Sequence, residues 1–263
     1  MKKIKKHFIF LIIIILIGAC GTVLFLRMNN GFTKKIESAN VSKRIAQTDY
    51  QSDPQSGYAR LSDEEKSIYA ILVQSTDDFE SHIDLNGLNI TVDGLTRIWQ
   101  AFYQDNPQYF WFNSYSYEYD PGSNIINSMD LSYTCDKATR DQKQSEIDKK
   151  VAAIEAQIPE DADEYTVVKT VHDLIISETK YGYASADNQN IASVFIDGES
   201  VCAGYSKAME YILKDMGLFC TVVDGQAKDR GAHEWNLVKM NDQYYYVDVT
   251  WDDQTEKESK KIV

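Results

Sequence analysis

The sequence predicts an α+β fold, because segments with helical spacing and segments with strand-like composition fall in separate runs instead of alternating. Apolar residues recur at helical spacing in 61–74 and again in 93–103. Three aromatic-rich segments that favour strands follow, at 109–111, 115–119 and 125–133. A polar helix is predicted next, from about residue 137 to residue 157.

Local signals support the boundaries of these elements. Ser62, with Glu65 three residues later, has the pattern of a capping box at the start of the first helix. The second helix is predicted to end at Asn106, because the residue before Pro107 avoids helical conformations. Residues 120–122 (DPG) predict a turn between two of the strands.

The composition excludes some classes of protein. The 263 residues carry a net charge of −13 that is spread along the chain, whereas a nucleic-acid-binding surface needs a basic stripe. The four cysteines (Cys20, Cys135, Cys202 and Cys220) have neither the spacing of a disulfide framework nor a C-x-x-C pair for zinc. We therefore expect at least one free thiol, no metal ion and no cofactor.

The N-terminus carries the signals of a membrane anchor. Four lysines among the first six residues precede an apolar run at 8–26, and roughly 19 helical residues just cross a hydrocarbon core of about 30 Å. Because the lysines come first, the positive-inside bias leaves the rest of the chain outside the cytoplasm. An alternative is a lipoprotein signal, since residues 17–20 (IGAC) resemble a lipobox in which Cys20 is lipidated. A freely secreted product is a third alternative, and all three place the folded part outside the cytoplasm.

Four parts are predicted along the chain. Residues 1–30 form the signal anchor or lipoprotein signal, and residues 31–57 form a tether. Residues 58–158 form an accessory α+β region, and residues 159–263 form the core that carries the chemistry. An amphipathic helix at 165–177 begins this core.

Cys202 is the candidate nucleophile. The apolar stripe of Met209, Ile212, Leu213 and Met216 predicts a core-facing helix after it, with Ser200 as N-cap. Cys202 would then lie in the first turn, where unpaired N–H groups and the helix dipole lower the pKa of a thiol. The same N–H groups could bind the oxyanion of a tetrahedral intermediate.

The partners of this thiol come from a predicted β-hairpin, formed by strands at 233–240 and 243–251 around a two-residue turn. This register pairs His233 with Thr250 and Trp235 with Asp248. His233 and Asp248 then lie on one face as diagonal neighbours, roughly 7 Å apart at the backbone. In this arrangement His233 is the general base and Asp248 orients its imidazole.

Each of these residues also has a structural explanation on its own. A cysteine at a helix start is more often structural than catalytic, and a histidine or an aspartate can simply satisfy a hydrogen bond in a sheet or turn. His172–Asp173 lacks a second nearby histidine, so helix packing or capping explains it better than a metal site does. By spacing alone, catalysis and a purely structural role stay open.

Three motifs resemble those of the transglutaminase-like superfamily. Residues 201–206 (VCAGYS) resemble its V-C-x-G-Y-[AS] nucleophile motif, and residues 231–236 (GAHEWN) are similar to its G-H-A-W-N strand. Residues 246–253 (YVDVTWDD) resemble its Y-x-V-D-x-T-W-D-D motif, and residues 171–175 (VHDLI) are similar to the helix before its nucleophile. A weaker likeness links residues 61–136 to the accessory part of anchored relatives from Gram-positive bacteria.

The resemblance implies a papain-like α+β core in which a helix that starts at the nucleophile packs on an antiparallel sheet carrying His233 and Asp248. It implies cysteine-dependent acyl transfer on amides of cell-surface proteins, peptides or cell-wall peptides by a peptidase, an amidase or a transglutaminase, with hydrolysis slightly favoured. The rival is a non-catalytic module that binds cell-surface peptide or glycan through the same cleft and the aromatic segments. The expected substrate contacts are Tyr205, Trp235, Asn236 and Trp251.

Two departures from the family pattern bear on activity. Glu234 stands where a small residue is usual, and strand alternation predicts that it points away from His233. The sequence stops ten residues after Asp253, where relatives continue with further strands, which favours a short member or a truncated chain.

Overall fold

The computed structural model describes residues 50–228 and 231–253. The predicted membrane anchor, the lipobox cysteine Cys20 and the tether up to residue 49 lie outside the described residues. Within the described ranges, no helix is both long enough and apolar enough to cross a membrane. All described residues belong to one compact unit.

Among the described residues, the N-terminal half contains a short 3-10 helix (Tyr58–Arg60), three longer α-helices and one sheet. Its elements are α1 (Asp63–Asp78), β1 (His82–Asp84), α2 (Val92–Asp105), β2 (Phe112–Asp120), β3 (Ile125–Tyr133) and α3 (Lys137–Glu155). The capping box at the start of α1 is present, with Ser62 accepting from the Glu65 N–H and Glu65 accepting from the Ser62 N–H. The three strands form an antiparallel sheet in the order β1-β3-β2.

One predicted strand in this half is wrong. Residues 109–111 form a turn that leads into β2 and not a strand. Their aromatic side chains are nevertheless buried, at 8% exposure for Tyr109 and 1% for Phe110. Burial of aromatic side chains in a packed turn produces the same composition as burial in a strand, and the sequence pattern does not distinguish the two.

The C-terminal half contains the longer antiparallel sheet. Its elements are α4 (Glu164–Glu178), β4 (Lys180–Tyr181), a π-helical turn (Ser193–Asp197), β5 (Glu199–Ser200), α5 (Cys202–Asp215), β6 (Cys220–Ala227), β7 (Gly231–Met240), β8 (Gln243–Val247) and α6 (Val249–Asp252). Strands β6, β7 and β8 pair in that order. The short strands β4 and β5 form a separate parallel pair.

Helix α5 lies against this sheet and forms the centre of the core. Met209, Ile212 and Leu213 are completely buried, as the apolar stripe predicts. The helix ends where Gly217 adopts a positive φ of 78°, a conformation that costs glycine little. The α+β fold predicted from the sequence is therefore present, with the helix that starts at Cys202 packed on the strand that carries His233.

Candidate active site

Cys202 is the first residue of α5. The prediction of Ser200 as its N-cap is wrong, because Val201 occupies that position and no side chain caps the helix. The Ser200 hydroxyl instead donates to the Asn188 carbonyl at 3.1 Å. Gly204 permits this packing, since a Cβ there would lie 1.9 Å from Ser200 Oγ. The first-turn N–H groups beside the thiol are therefore not taken by a capping side chain.

The electrostatics around Cys202 differ from the sequence prediction of a lowered pKa. Burial raises the pKa of the Cys202 thiol above its ordinary value, and the negative charge of Glu234 raises it further. Hydrogen bonding from the backbone N–H groups of Glu234, Ala203 and Cys202 acts in the opposite direction. Desolvation outweighs the helix N-terminus, so the isolated thiol is held in its protonated form.

His233 and Asp248 form a direct hydrogen bond. His233 Nε2 lies 2.8 Å from Asp248 Oδ2, and the histidine side chain is only 8% exposed. The imidazole stacks on the indole of Trp251 at 4.7 Å between ring centroids and on that of Trp235 at 5.8 Å. In the neutral ring Nε2 donates to the carboxylate, which leaves Nδ1 with the lone pair that can accept a proton.

The route by which Asp248 reaches His233 differs from the predicted one. The turn at Asn241 and Asp242, both at positive φ, gives the predicted Met240–Gln243 pair, and the ladder continues to Asn236–Val247. It ends there, because residues 249–252 form the helix α6. The predicted pairs of His233 with Thr250 and of Trp235 with Asp248 are therefore not formed. Asp248 is the N-cap of α6, and its Oδ1 accepts from the Trp251 N–H at 3.0 Å.

The predicted substrate contacts divide into two groups. Trp251 is 45% exposed and Trp235 is partly exposed, both beside the His233 ring. Tyr205 and Asn236 are completely buried, so direct contact with substrate is incompatible with this geometry. The Tyr205 hydroxyl donates to the Thr179 carbonyl at 2.9 Å, whereas Asn236 Nδ2 donates to the Ser206 carbonyl, also at 2.9 Å. These bonds tie α5 to the segments packed against it.

Glu234 has a larger role than the sequence suggested. It lies on the face of β7 opposite His233, as alternation predicts, and is buried at 7% exposure. Its carboxylate accepts hydrogen bonds from the hydroxyls of Tyr103 and Ser206. The departure from the family pattern at Glu234 indicated from the sequence that this position is unusual. Nothing in the sequence indicated that its partner is Tyr103, which lies 131 positions away.

His172 connects the preceding helix to the third motif. Its Nδ1 lies 2.9 Å from Asp173 Oδ1, and its Nε2 lies 3.3 Å from Asp252 Oδ2 in α6. No group of three or more metal-ligating side chains occurs among the residues that the structure describes. In the same part of the chain Cys135, Cys202 and Cys220 are free thiols.

The model of the transglutaminase-like superfamily matches residues 152–249. That match contains Cys202, His233 and Asp248, and it begins inside α3. The mixed helix and antiparallel sheet architecture described above therefore contains a transglutaminase-like core. No curated protein matches the chain.

Solved structures with likeness to the chain are remote. One is a TGase, with 18% identity, a TM-score of 0.38 and coverage of 53% of this chain and 44% of that one. Another is the periplasmic domain of TgpA from Pseudomonas aeruginosa bound to ethylmercury, with 17% identity, a TM-score of 0.35 and coverage of 51% and 59%. A third is named as a proposed cysteine protease from Cytophaga hutchinsonii, with 11% identity, a TM-score of 0.35 and coverage of 52% and 61%. The chain thus spans less than half of the first of these structures.

Proposed function

We propose that the chain is a cysteine-dependent enzyme that transfers acyl groups from amide bonds through a thioester on Cys202. The observation that carries this proposal is the 2.8 Å hydrogen bond between His233 and Asp248. His233 lies on β7, and the backbone N–H of the next residue, Glu234, bonds to the Cys202 thiol. An imidazole oriented by a carboxylate beside a thiol at a helix N-terminus is the arrangement that nucleophilic acyl transfer requires.

The proton follows a closed path in this mechanism. His233 Nδ1 accepts the proton of the Cys202 thiol as sulfur attacks the amide carbonyl carbon. The oxyanion that forms is stabilised by the N–H groups of the first turn of α5. The imidazolium, whose charge Asp248 stabilises, returns the proton to the leaving nitrogen as the C–N bond breaks. Water or a primary amine then attacks the thioester, with His233 again removing the proton and returning it to the departing sulfur.

The raised pKa of the Cys202 thiol determines at which step its proton moves to His233. Because burial keeps Cys202 protonated in the isolated protein, we infer proton transfer during attack instead of a resting thiolate–imidazolium pair. General-base transfer of this type contributes about 10²–10⁴-fold to rate. The lone pair on His233 Nδ1 must then be free, so activity is expected to require the neutral imidazole.

The substrate class and cellular location are parts of the same proposal. The acidic chain and the apolar N-terminal run favour an enzyme held at the outer face of a bacterial membrane, acting on a protein, a peptide or a cell-wall peptide. Hydrolysis needs only water as the second substrate, whereas transglutamination needs a site for an amine. We favour hydrolysis slightly on that ground.

A non-catalytic binding module is the second candidate. Tyr117 and Tyr119 on β2 are 38% and 45% exposed and their rings adjoin at 6.0 Å between centroids, which suits stacking on a sugar or a peptide. If this module is the function, Tyr117→Ser should abolish binding to cell-wall material while Cys202→Ala leaves it intact. If the enzyme is the function, Cys202→Ala should retain binding and lose turnover.

The decisive experiment measures alkylation of Cys202 by iodoacetamide in the full-length protein, read by mass spectrometry of the Cys202 peptide. Cys135 in the same sample is the internal reference. We expect His233→Ala to slow alkylation of Cys202 about tenfold or more and to leave Cys135 unchanged. Equal Cys202 rates in both proteins would contradict the proposed pairing.

Turnover is then assayed in three ways on a glutamine-containing protein such as casein. Incorporation of a fluorescent primary amine reports transglutamination. Release of ammonia without incorporation reports hydrolysis of a side-chain amide, and new N-terminal amines report hydrolysis of peptide bonds. Cys202→Ser is the control for all three assays.

A further inference from the structure

Glu234 is a buried carboxylate at the junction of three elements. It is on β7, next to His233 in sequence, and its side chain points towards α5. Oε2 accepts from the Tyr103 hydroxyl at 3.0 Å, and Oε1 accepts from the Ser206 hydroxyl. Both carboxylate oxygens are therefore bonded to protein, as a buried acidic group requires.

Strand β7 is fastened to one residue of α5 at two points. Ser206 donates its hydroxyl to Glu234, and its backbone carbonyl accepts from Asn236 Nδ2 at 2.9 Å. Ser206 lies four residues after Cys202, so the two share a face of the helix, one turn apart. These bonds fix the position of β7 along the axis of α5. They therefore also fix the position of His233 relative to the Cys202 thiol.

The third contact comes from outside the core. Tyr103 belongs to α2, well before the segment that matches the superfamily model. Lys207 Nζ lies 3.5 Å from the centroid of the Tyr103 ring, and Lys207 is only 9% exposed. The tyrosine therefore contacts a buried cation with its ring and a buried carboxylate with its hydroxyl.

We propose that Glu234 is a positioning residue for the Cys202–His233 pair, and that Tyr103 of α2 completes it. This rests on the proposed function, because positioning is meaningful only if the thiol and imidazole act together. The accessory half of the chain then contributes to the reactivity of the nucleophile. A core with a small residue at position 234 could not receive this contribution.

The charge of Glu234 and its hydrogen bonds have separable effects on the thiol. Its carboxylate raises the pKa of Cys202, whereas its backbone N–H lowers it. Burial raises the pKa of the Glu234 carboxyl itself. The positive charge of Lys207 opposes this rise, and the negative charge of Asp224 adds to it. The charged or titratable groups around Glu234 are thus Tyr103 from α2, Cys202 and Lys207 from α5, and Asp224 from β6.

The test uses the alkylation assay on the full-length protein, with rates measured across pH with and without the additional change His233→Ala. Glu234→Gln keeps an acceptor for Tyr103 and a donor for Ser206 but removes the charge. It should shift the pH midpoint of Cys202 alkylation downwards. It should also retain the dependence on His233, that is, the ratio of the Cys202 alkylation rates without and with the additional change His233→Ala. Glu234→Ala removes both bonds and should lose most of the dependence on His233.

Tyr103→Phe keeps the ring over Lys207 and removes only the hydroxyl. We expect it to reduce the dependence of the Cys202 rate on His233 by about threefold or more, from loss of one bond to a charged group, without lowering the midpoint. Tyr165→Phe and Glu118→Gln are the matched controls, since both residues are exposed, Tyr165 on α4 and Glu118 on β2. Thermal unfolding of each variant verifies the fold.

The outcomes separate this inference from the proposed function. If the otherwise unchanged protein shows no dependence on His233, the proposed function fails. If that dependence is present but Tyr103→Phe and both Glu234 variants behave as the unchanged protein does, the positioning role is overturned. It is also overturned if Glu234→Gln loses the dependence on His233 as completely as Glu234→Ala, because hydrogen bonding would then not be the cause.

Discussion

The carboxylate of Asp248 serves two partners at once: Oδ2 bonds to His233 Nε2 at 2.8 Å, while Oδ1 accepts the backbone N–H of Trp251 at 3.0 Å. The orientation of the imidazole and the start of α6 therefore depend on the same side chain. Helix α6 also carries the Trp251 indole that stacks on His233. The position of the imidazole therefore depends on this one helical turn through two contacts, the hydrogen bond and the stack.

Substitution of Asp248 should separate these two roles. Asp248→Ala loses the cap and the orienting bond, so we expect turnover to fall about 10²–10⁴-fold and stability to fall by about 1 kcal/mol. Asp248→Asn can still cap α6, so it should preserve stability while turnover falls, because an amide does not neutralise the imidazolium. Steady-state rates with urea unfolding measure both. Full turnover in the alanine variant would exclude Asp248 from the mechanism.

Removal of the Trp251 indole should expose the imidazole. Trp251→Ala deletes a ring stacked at 4.7 Å and 16° on His233, a contact worth about 0.5–1.5 kcal/mol. We expect a lower kcat and faster modification of His233 by diethyl pyrocarbonate. Trp251→Phe should restore most of the protection. Equal modification rates in all three proteins would show that the stack does not shield the ring.

Gly204 should be intolerant of a side chain. A Cβ there would lie 1.9 Å from Ser200 Oγ and 2.7 Å from Ser193 Oγ, so Gly204→Ala must displace β5 or the start of α5. We expect a loss of about 1–3 kcal/mol of stability, from overpacking. Adding Ser200→Ala removes the nearest clash and should recover part of the loss. A single alanine variant as stable as the unchanged protein would contradict this packing.

Glu210 should make stability depend on pH. It is fully buried in α5, and burial raises its pKa to about 8. Between the pKa of Glu210 in the unfolded chain and its folded pKa of about 8, the folded chain holds a proton that the unfolded chain has lost. The stability that Glu210 contributes is therefore complete below pH ~4.5 and declines as the pH rises to ~8. Glu210→Gln should flatten that decline. Urea unfolding at pH 5 and pH 8 tests this, and identical pH dependence in both proteins would refute it.

The sequence predicted those features of the site that follow from local patterns. Strand alternation and a two-residue turn were sufficient for the register of β7 with β8 up to the pair of Asn236 with Val247. The four residues of α6 were not predictable, because so short a helix has no periodicity to detect. The catalytic roles of Cys202, His233 and Asp248 remain predictions, although their placement is now known.

Long-range burial was the other unpredictable part. Tyr205 and Asn236 belong to motifs beside the candidate triad, yet both are completely buried. A local pattern cannot tell whether a polar side chain in a motif faces a cleft or the interior. The contact of Tyr103 with Glu234 is unpredictable for the same reason, since nothing within α2 indicates its distant partner.

Helix α6 is far too short to be stable by itself, because isolated helices of fewer than about 12 residues are marginal in water. Contacts from elsewhere must retain it, including those of His172 with Asp252 and of Tyr205 with Asp253. Opening of this single turn would withdraw the orienting carboxylate while the sheet and α5 remain folded. Inactivation on heating should therefore precede the cooperative melting of the domain, and it should be reversible on cooling.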